Sequence, residues 1–269
     1  MSLLFPEKLR IHLAPDHVLA ARTSRFAILE SKARIIASNA GHESTKILEA
    51  LAVMLDEYEK MPATTTVTLS SRLAPASVLP WRDDATTPGQ QALLAAARLS
   101  ASHGGAAADW NCISESNGFG RPWVATGVQH EFIAALKSTL SNARVGVTSI
   151  VPLAVDLFNV HRASLPVRGA AWLLVSESDR LVGWYCQGRI PLDCVSLPLP
   201  AEGDEPIDAL LRREVLLRGL PDALPVLFVT ASHPLGPLAD RSVQRLFPRW
   251  RCEPGVTAAY PLHWLGGAK

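Results

Sequence analysis

Charge, cysteine and long apolar runs are all scarce in this sequence. Asp, Glu, Lys and Arg make up 19% of 269 residues and cancel to a net charge of +1. That share is below the usual quarter. With so little net charge there is no strong field to draw the chain to nucleic acid or to an anionic membrane. The thin charge also leaves less material to keep a surface solvated, which favours a subunit that buries some of it against a partner. The four cysteines, Cys112, Cys186, Cys194 and Cys252, show no C-x-x-C spacing. A disulfide framework and a zinc site are therefore not expected, and reduced core thiols are. No stretch approaches the roughly 18 apolar residues of a membrane span. The opening Met-Ser-Leu-Leu-Phe-Pro-Glu-Lys is too short an apolar run for a signal peptide. The expected setting is cytoplasmic.

Catalytic signatures are absent as well. Gly41-His42-Glu43-Ser44-Thr45 does not match G-x-S-x-G and reads as a helix entrance. His130-Glu131 lacks the second histidine of H-E-x-x-H. The eight histidines show no ligand spacing. No catalytic residue, cofactor site or metal site is assigned.

Apolar material is plentiful, at 48% of the chain, enough for a large core or two. Leu9–Leu13 and His17–Ala21 alternate as strands around the turn Ala14-Pro15-Asp16, and Arg25–Ser31 offers a third strand. Ser44–Met61 follows as a helix, with Ile47, Leu48, Leu51, Leu55 and Tyr58 on one face. Thr65–Ser70 is a β-branched strand, and Arg72–Asp84 reads as a proline-containing connection. Thr87-Pro88-Gly89-Gln90 combines a hydroxyl cap, a first-turn proline and a capping-box glutamine. The helix it starts should stop before Gly104-Gly105. Strands at Asp109–Glu115 and Arg121–Val128 form a hairpin around Asn117-Gly118-Phe119-Gly120, glycines explained by the turn rather than by phosphate binding. A helix through Phe132, Ile133, Leu136 and Leu140, a strand Val145–Val151 and a helix Leu153–His161 complete the first half.

After Pro166 the pattern recurs. Ala170–Val175, Leu181–Cys186 and Arg189–Val195 are strands, Pro206–Arg218 a helix and Val226–Thr230 a strand. Leu238–Phe247 is a helix, with a last strand near Arg249–Cys252. Two rounds of three strands followed by helix, strand and helix predict an α/β chain with two lobes, 1–165 and 166–269.

This order of elements resembles the actin-like, or ribonuclease-H-like, superfamily of duplicated βββαβα units. Within it, residues 122–163 resemble the PilM and GspL cytoplasmic-domain family of type IV pilus assembly and type II secretion. Pro122–Gly127, the helix through Leu140, Val145–Pro152 and Leu153–Asn159 carry most of that likeness. Gln187-Gly188-Arg189-Ile190-Pro191-Leu192 looks like the third strand of the family's second lobe. Thr68-Leu69-Ser70 with Val78-Leu79-Pro80-Trp81 is similar to GspL.

Actin-like ATPases hold phosphates in two hairpin turns of the Asp-x-Gly kind. Glycine there lets backbone N–H groups approach the phosphate, and aspartate positions hydrated magnesium. The matching turns in this chain, Leu13-Ala14-Pro15-Asp16-His17 and Leu174–Arg180, contain no glycine, and proline removes a donor. Past Thr230 the chain reads Ala231-Ser232-His233, where the superfamily places Gly-Gly beside adenosine. In these respects the sequence is nearer to GspL than to PilM, which keeps its nucleotide motifs. The resemblance thus implies a non-catalytic scaffold at the inner face of the bacterial inner membrane. Its partners would be inner-membrane assembly proteins and the assembly ATPase. Such a chain is either a free-standing subunit or the cytoplasmic part of a membrane protein. The rival reading is an ATP-binding, PilM-type protein with atypical phosphate loops. Candidate partner-binding residues are Trp81, in a proline-rich loop, and the cationic Arg241, Arg245 and Arg249. Trp110 and Trp123 are expected in the core.

Overall fold

Alternating apolar residues in Lys8–Leu13 (β1) place Leu9, Ile11 and Leu13 on one face, all fully buried. In the computed structural model this strand is central, paired antiparallel with His17–Thr23 (β2) and parallel with Thr64–Leu69 (β4). The structure describes residues 7–23, 28–36, 43–59, 62–116, 118–177, 180–198, 207–220, 224–230 and 251–252. The described residues divide into two compact units, residues 7–156 and 157–252.

In the first unit Ile28–Ile35 (β3) pairs with β2, and Gly146–Pro152 (β8) runs parallel to β4. The resulting five-stranded sheet has the order β3-β2-β1-β4-β8. Two helices close one face of it. Glu43–Asp56 (α1) supplies Ile47, Leu51 and Leu55, and His130–Asn142 (α3) supplies Phe132, Leu136 and Leu140. The α1 helix ends at Asp56 rather than at the expected Met61. The chain tightens there through Glu57 N–H to Met54 C=O and Tyr58 N–H to Leu55 C=O, at 3.3 and 3.2 Å. The Tyr58 hydroxyl then donates to the buried Ala20 carbonyl at 3.0 Å. An anchor on β2 therefore takes the ring that helical spacing would have continued.

Between β4 and α3 the chain builds a smaller layer. Ala76–Leu79 (β5), Trp110–Ser116 (β6) and Trp123–Gln129 (β7) form a sheet ordered β5-β7-β6. Pro88–His103 (α2) covers one face, its start fixed by the expected capping box of Thr87 and Gln90. The β5 strand lies in the stretch expected to be a connection. Four residues between two prolines are too few for an alternation signal, and pairing with β7 supplies the order. Trp110 and Trp123 are buried, as expected.

The second unit repeats the first sheet. Ala170–Ser176 (β9) pairs antiparallel with Arg180–Gln187 (β10) and parallel with Val226–Thr230 (β12). Ile190–Pro198 (β11) and Arg251–Cys252 (β13) take the outer places, giving β11-β10-β9-β12-β13. Trp172, Leu174, Val226 and Phe228 pack with Leu211 of Ile207–Leu217 (α5). Gly188, at φ +61, makes the β10–β11 turn, where a side chain would meet the Val167 carbonyl oxygen at 2.7 Å. Leu153–His161 (α4) brings Phe158 against Trp184, ring centroids 5.1 Å apart. The helix expected at Leu238–Phe247 lies outside the described residues. Both sheets thus share the order 3-2-1-4-5 and the same mixture of parallel and antiparallel pairs.

The contact between α2 and the small sheet depends on Gly127. A methyl group there would stand 2.5 Å from Leu99 Cδ1 and 3.0 Å from both Cys112 Sγ and Trp110 Cε3. Gly127→Ala should therefore lower stability by about 1–3 kcal/mol, the usual cost of overpacking. Urea unfolding followed by circular dichroism measures it, and an unchanged midpoint would contradict so close an approach.

Candidate functional site

The two hairpins that the sequence singles out occupy equivalent places, each joining the first and second strands of its sheet. In the first unit the turn Ala14-Pro15-Asp16-His17 is closed by Ala14 N–H donating to His17 C=O at 3.0 Å. Ile36 N–H donates to the Asp16 carbonyl at 2.7 Å, tying the corner to the end of β3. In the second unit Glu177 N–H donates to Arg180 C=O at 2.8 Å. Both turns therefore have the same length and the same closing bond. Asp179 lies outside the described residues.

The chemistry of these corners follows from what their N–H groups do. Ala14 and Glu177 spend theirs on closing the turn, and Pro15 has none. Asp16 does not stand alone: its Oδ1 is 2.7 Å from His17 Nδ1. Glu177 is only 3% exposed, so a carboxylate sits buried in the second corner. Glycine, which would let a backbone approach a phosphate closely, is missing from the described residues of both turns.

Behind the first corner lies a group that the sequence did not reveal. His12 is 4% exposed, hydrogen-bonded to the backbone of Thr68. Its ring centroid is 5.3 Å from that of His17. Burial, assisted by His17 and opposed by Asp16, pushes its pKa down to about 3. Alternation in β1 marks Leu9, Ile11 and Leu13 as inward. It cannot show that the opposite face, where His12 lies, is covered too. Ser70 and Ser71, just after β4, are also buried, and Ser70 N–H donates to Leu13 C=O at 2.9 Å. The Ser70 hydroxyl has no hydrogen-bond partner among the described residues.

The described thiols are not activated. Burial raises the pKa of Cys112, and that of Cys186 to about 12. Cys194 is pushed well up by burial and then by Asp193. A thiol held above its ordinary pKa is a poor nucleophile at neutral pH. Arg218 instead ties α5 to β11, its Nε 2.6 Å from Asp193 Oδ2 and its Nη1 donating to buried Glu214. Among the described residues no group of three or more His, Cys, Asp or Glu side chains could hold a metal ion. No helix among them is long and apolar enough to cross a membrane.

The candidate partner residues are dispersed. Trp81 is half-buried in the small layer, with centroids 4.9 Å from Phe119 and 5.7 Å from Trp123. Its Nε1 donates to Asp83 Oδ1 at 2.8 Å. Arg241, Arg245 and Arg249 lie outside the described residues.

No family model and no curated protein matches the sequence. Solved structures do match in fold, over nearly the whole chain. A Bacteroides thetaiotaomicron protein of actin-like ATPase fold and unknown function aligns with a TM-score of 0.65 at 9% identity, covering 97% of this chain and 95% of its own. The PilM–PilN type IV pilus biogenesis complex aligns at 0.63 and 10% identity, covering 92% and 88%. The cytoplasmic domain of EpsL, an inner-membrane component of the Vibrio cholerae type II secretion system, aligns at 0.53 and 12%, covering 94% and 88%. The fold is actin-like.

The buried His12 makes stability depend on acid. With a folded pKa near 3 and an unfolded one near 6.5, the native state refuses a proton that the unfolded chain accepts. His12 therefore costs nothing above about pH 6.5, and stability falls as pH drops through the window from 6.5 to 3. The slope approaches about 1.4 kcal/mol per pH unit. His12→Gln should flatten this part of the profile in urea titrations at pH 4.5, 5.5 and 7. Equal slopes in both proteins would show that His12 takes up its proton in the folded state.

Proposed function

We propose that this actin-like chain is a non-catalytic scaffold subunit of a type IV pilus or type II secretion assembly platform. It works at the cytoplasmic face of the bacterial inner membrane, where it holds other assembly proteins. The observation that carries the reading is the chemistry of the two hairpin corners. Each closes on its own backbone N–H, one contains Pro15, and the other buries Glu177. A lost hydrogen bond to a charged phosphate costs about 1.5–3 kcal/mol. Several lost together weaken binding by several orders of magnitude. The buried Glu177 side chain also stands at the second corner, where a phosphate would need a side-chain-free approach.

The platform assignment draws its support from the likeness to PilM in its complex with PilN and to the EpsL cytoplasmic domain. The partners proposed are accordingly inner-membrane assembly proteins, with the assembly ATPase as a further candidate. Trp81 is the proposed aromatic contact, and Arg241, Arg245 and Arg249 the proposed cationic ones.

Two measurements test this reading. Millimolar Mg-ATP should leave the melting temperature unchanged. A functional site occupied at 100 times its dissociation constant would instead add about 2.7 kcal/mol, and that shift would favour the ATP-binding rival. Affinity capture from solubilised membranes, with the bound proteins identified by mass spectrometry, should recover pilus or secretion components. Recovery of soluble metabolic enzymes alone would defeat the platform assignment.

A further inference from the structure

An edge strand exposes a row of unpaired N–H and C=O groups, and proteins blunt such edges with charge, proline, bulges or shortness. Most described edges here carry one of these devices. The β3 edge bears Glu30, Lys32 and Arg34, with Arg34 Nη2 2.5 Å from Glu57 Oε1. The β8 edge has an irregular register against β4 and ends at Pro152. The β11 edge contains Pro191, Asp193 and Pro198, also with a register shift. The β5 edge is four residues long.

The β6 edge carries only one of them, the single charge of Glu115. Its seven residues, WNCISES, include no proline, lysine or arginine. All seven pair with β7 in unbroken register. Ser114 donates to Gln91 of α2, and Cys112 and Trp110 pack against the same helix's layer. The alternate residues Asn111, Ile113 and Glu115 therefore face away from α2, and all three are exposed, Ile113 by 69%.

We propose that β6 pairs with β6 of a second copy of this chain, antiparallel and centred on Ile113. A two-fold axis normal to the sheet admits only registers centred on a residue. The Ile113 register uses the whole strand. It sets Ile113 against Ile113, Asn111 against Glu115, Cys112 against Ser114, and Trp110 against Ser116. Ile113 meets itself, the lone carboxylate meets an amide donor, and only Trp110 with Ser116 sets an apolar ring beside a hydroxyl. Centring on Ser114 would put Ile113 opposite Glu115, and centring on Glu115 would set two carboxylates together. Of these three registers, the Ile113 one alone keeps Glu115 from an apolar or acidic partner, and it also gives the longest ladder. The two small sheets become one of six strands, with α2 of each copy on the same face. This self-association stands independently of the platform assignment.

The test is sedimentation velocity of the full chain over a concentration series, with wild type, Ile113→Lys and Ile113→Cys. Wild type should pass from monomer to dimer as concentration rises. Ile113→Lys, which loses the apolar pair and sets like charges opposite each other, should weaken dimerisation at least about tenfold. Because Ile113 is exposed, its circular dichroism should match wild type. Under mild oxidation Ile113→Cys should form a disulfide between the two introduced thiols, since directly paired strand positions lie within disulfide reach. Leu93→Cys, on the exposed face of α2, should not. A wild-type monomer at every concentration overturns the proposal. So does a dimer indifferent to Ile113→Lys, or equal cross-linking through Leu93→Cys.

Discussion

Each unit is organised by a central strand that has no free edge. In the first sheet β1 is bonded to β2 on one side and β4 on the other, and in the second β9 holds the same place between β10 and β12. A strand so placed must satisfy all its backbone groups through its neighbours, because water cannot reach them. The five residues Ala171–Val175 are accordingly apolar and no more than 1% exposed. The parallel neighbours, β4 and β12, can be reached only by long crossovers, and the helices of those crossovers supply the cover for the sheet. Order 3-2-1-4-5 is the common result.

The same constraint pushes polar chemistry to the strand ends. The corners after β1 and β9 are where the chain first escapes the buried sheet, and each holds an acid and a basic residue, Asp16 with His17 and Glu177 with Arg180. These are the corners that the sequence singled out for their lack of glycine. Here each makes its own closing contacts. Ala14 bonds to His17, Glu177 to Arg180, and Asp16 to the His17 ring. A corner whose closing N–H is already spent offers fewer donors to a ligand, and the proposed scaffold role draws on that. His12 shows how far the desolvation reaches, since a histidine one residue from the strand's end is still held neutral by burial.

Much of this architecture was legible because the signals were local. Thr87-Pro88-Gly89-Gln90 announces a helix start through hydrogen bonds made within four residues, and the structure contains those bonds. Apolar alternation likewise located β1 and β2, and short apolar runs located the strands of the second unit. What depended on distant partners was not legible. The β5 strand exists because β7 pairs with it, α1 stops because Tyr58 is drawn to Ala20, and β3 lies several residues later than Arg25–Ser31. The absence of glycine from the candidate corners could be read directly, but the burial of His12 and Glu177 could not. Trp81 was visible as an aromatic in a proline-rich loop. Its seat between Phe119 and Trp123 follows only once β5 and β7 are side by side.

The small layer enters and leaves the first unit at almost one point, because Gly127 N–H donates to the Pro75 carbonyl at 3.2 Å. It also has apolar clusters of its own, around Trp123 and around Trp110. A segment with joined ends and a private interior is a cassette. Natural variation could exchange or reshape it, giving the molecule different company while the principal sheet keeps every strand where it was.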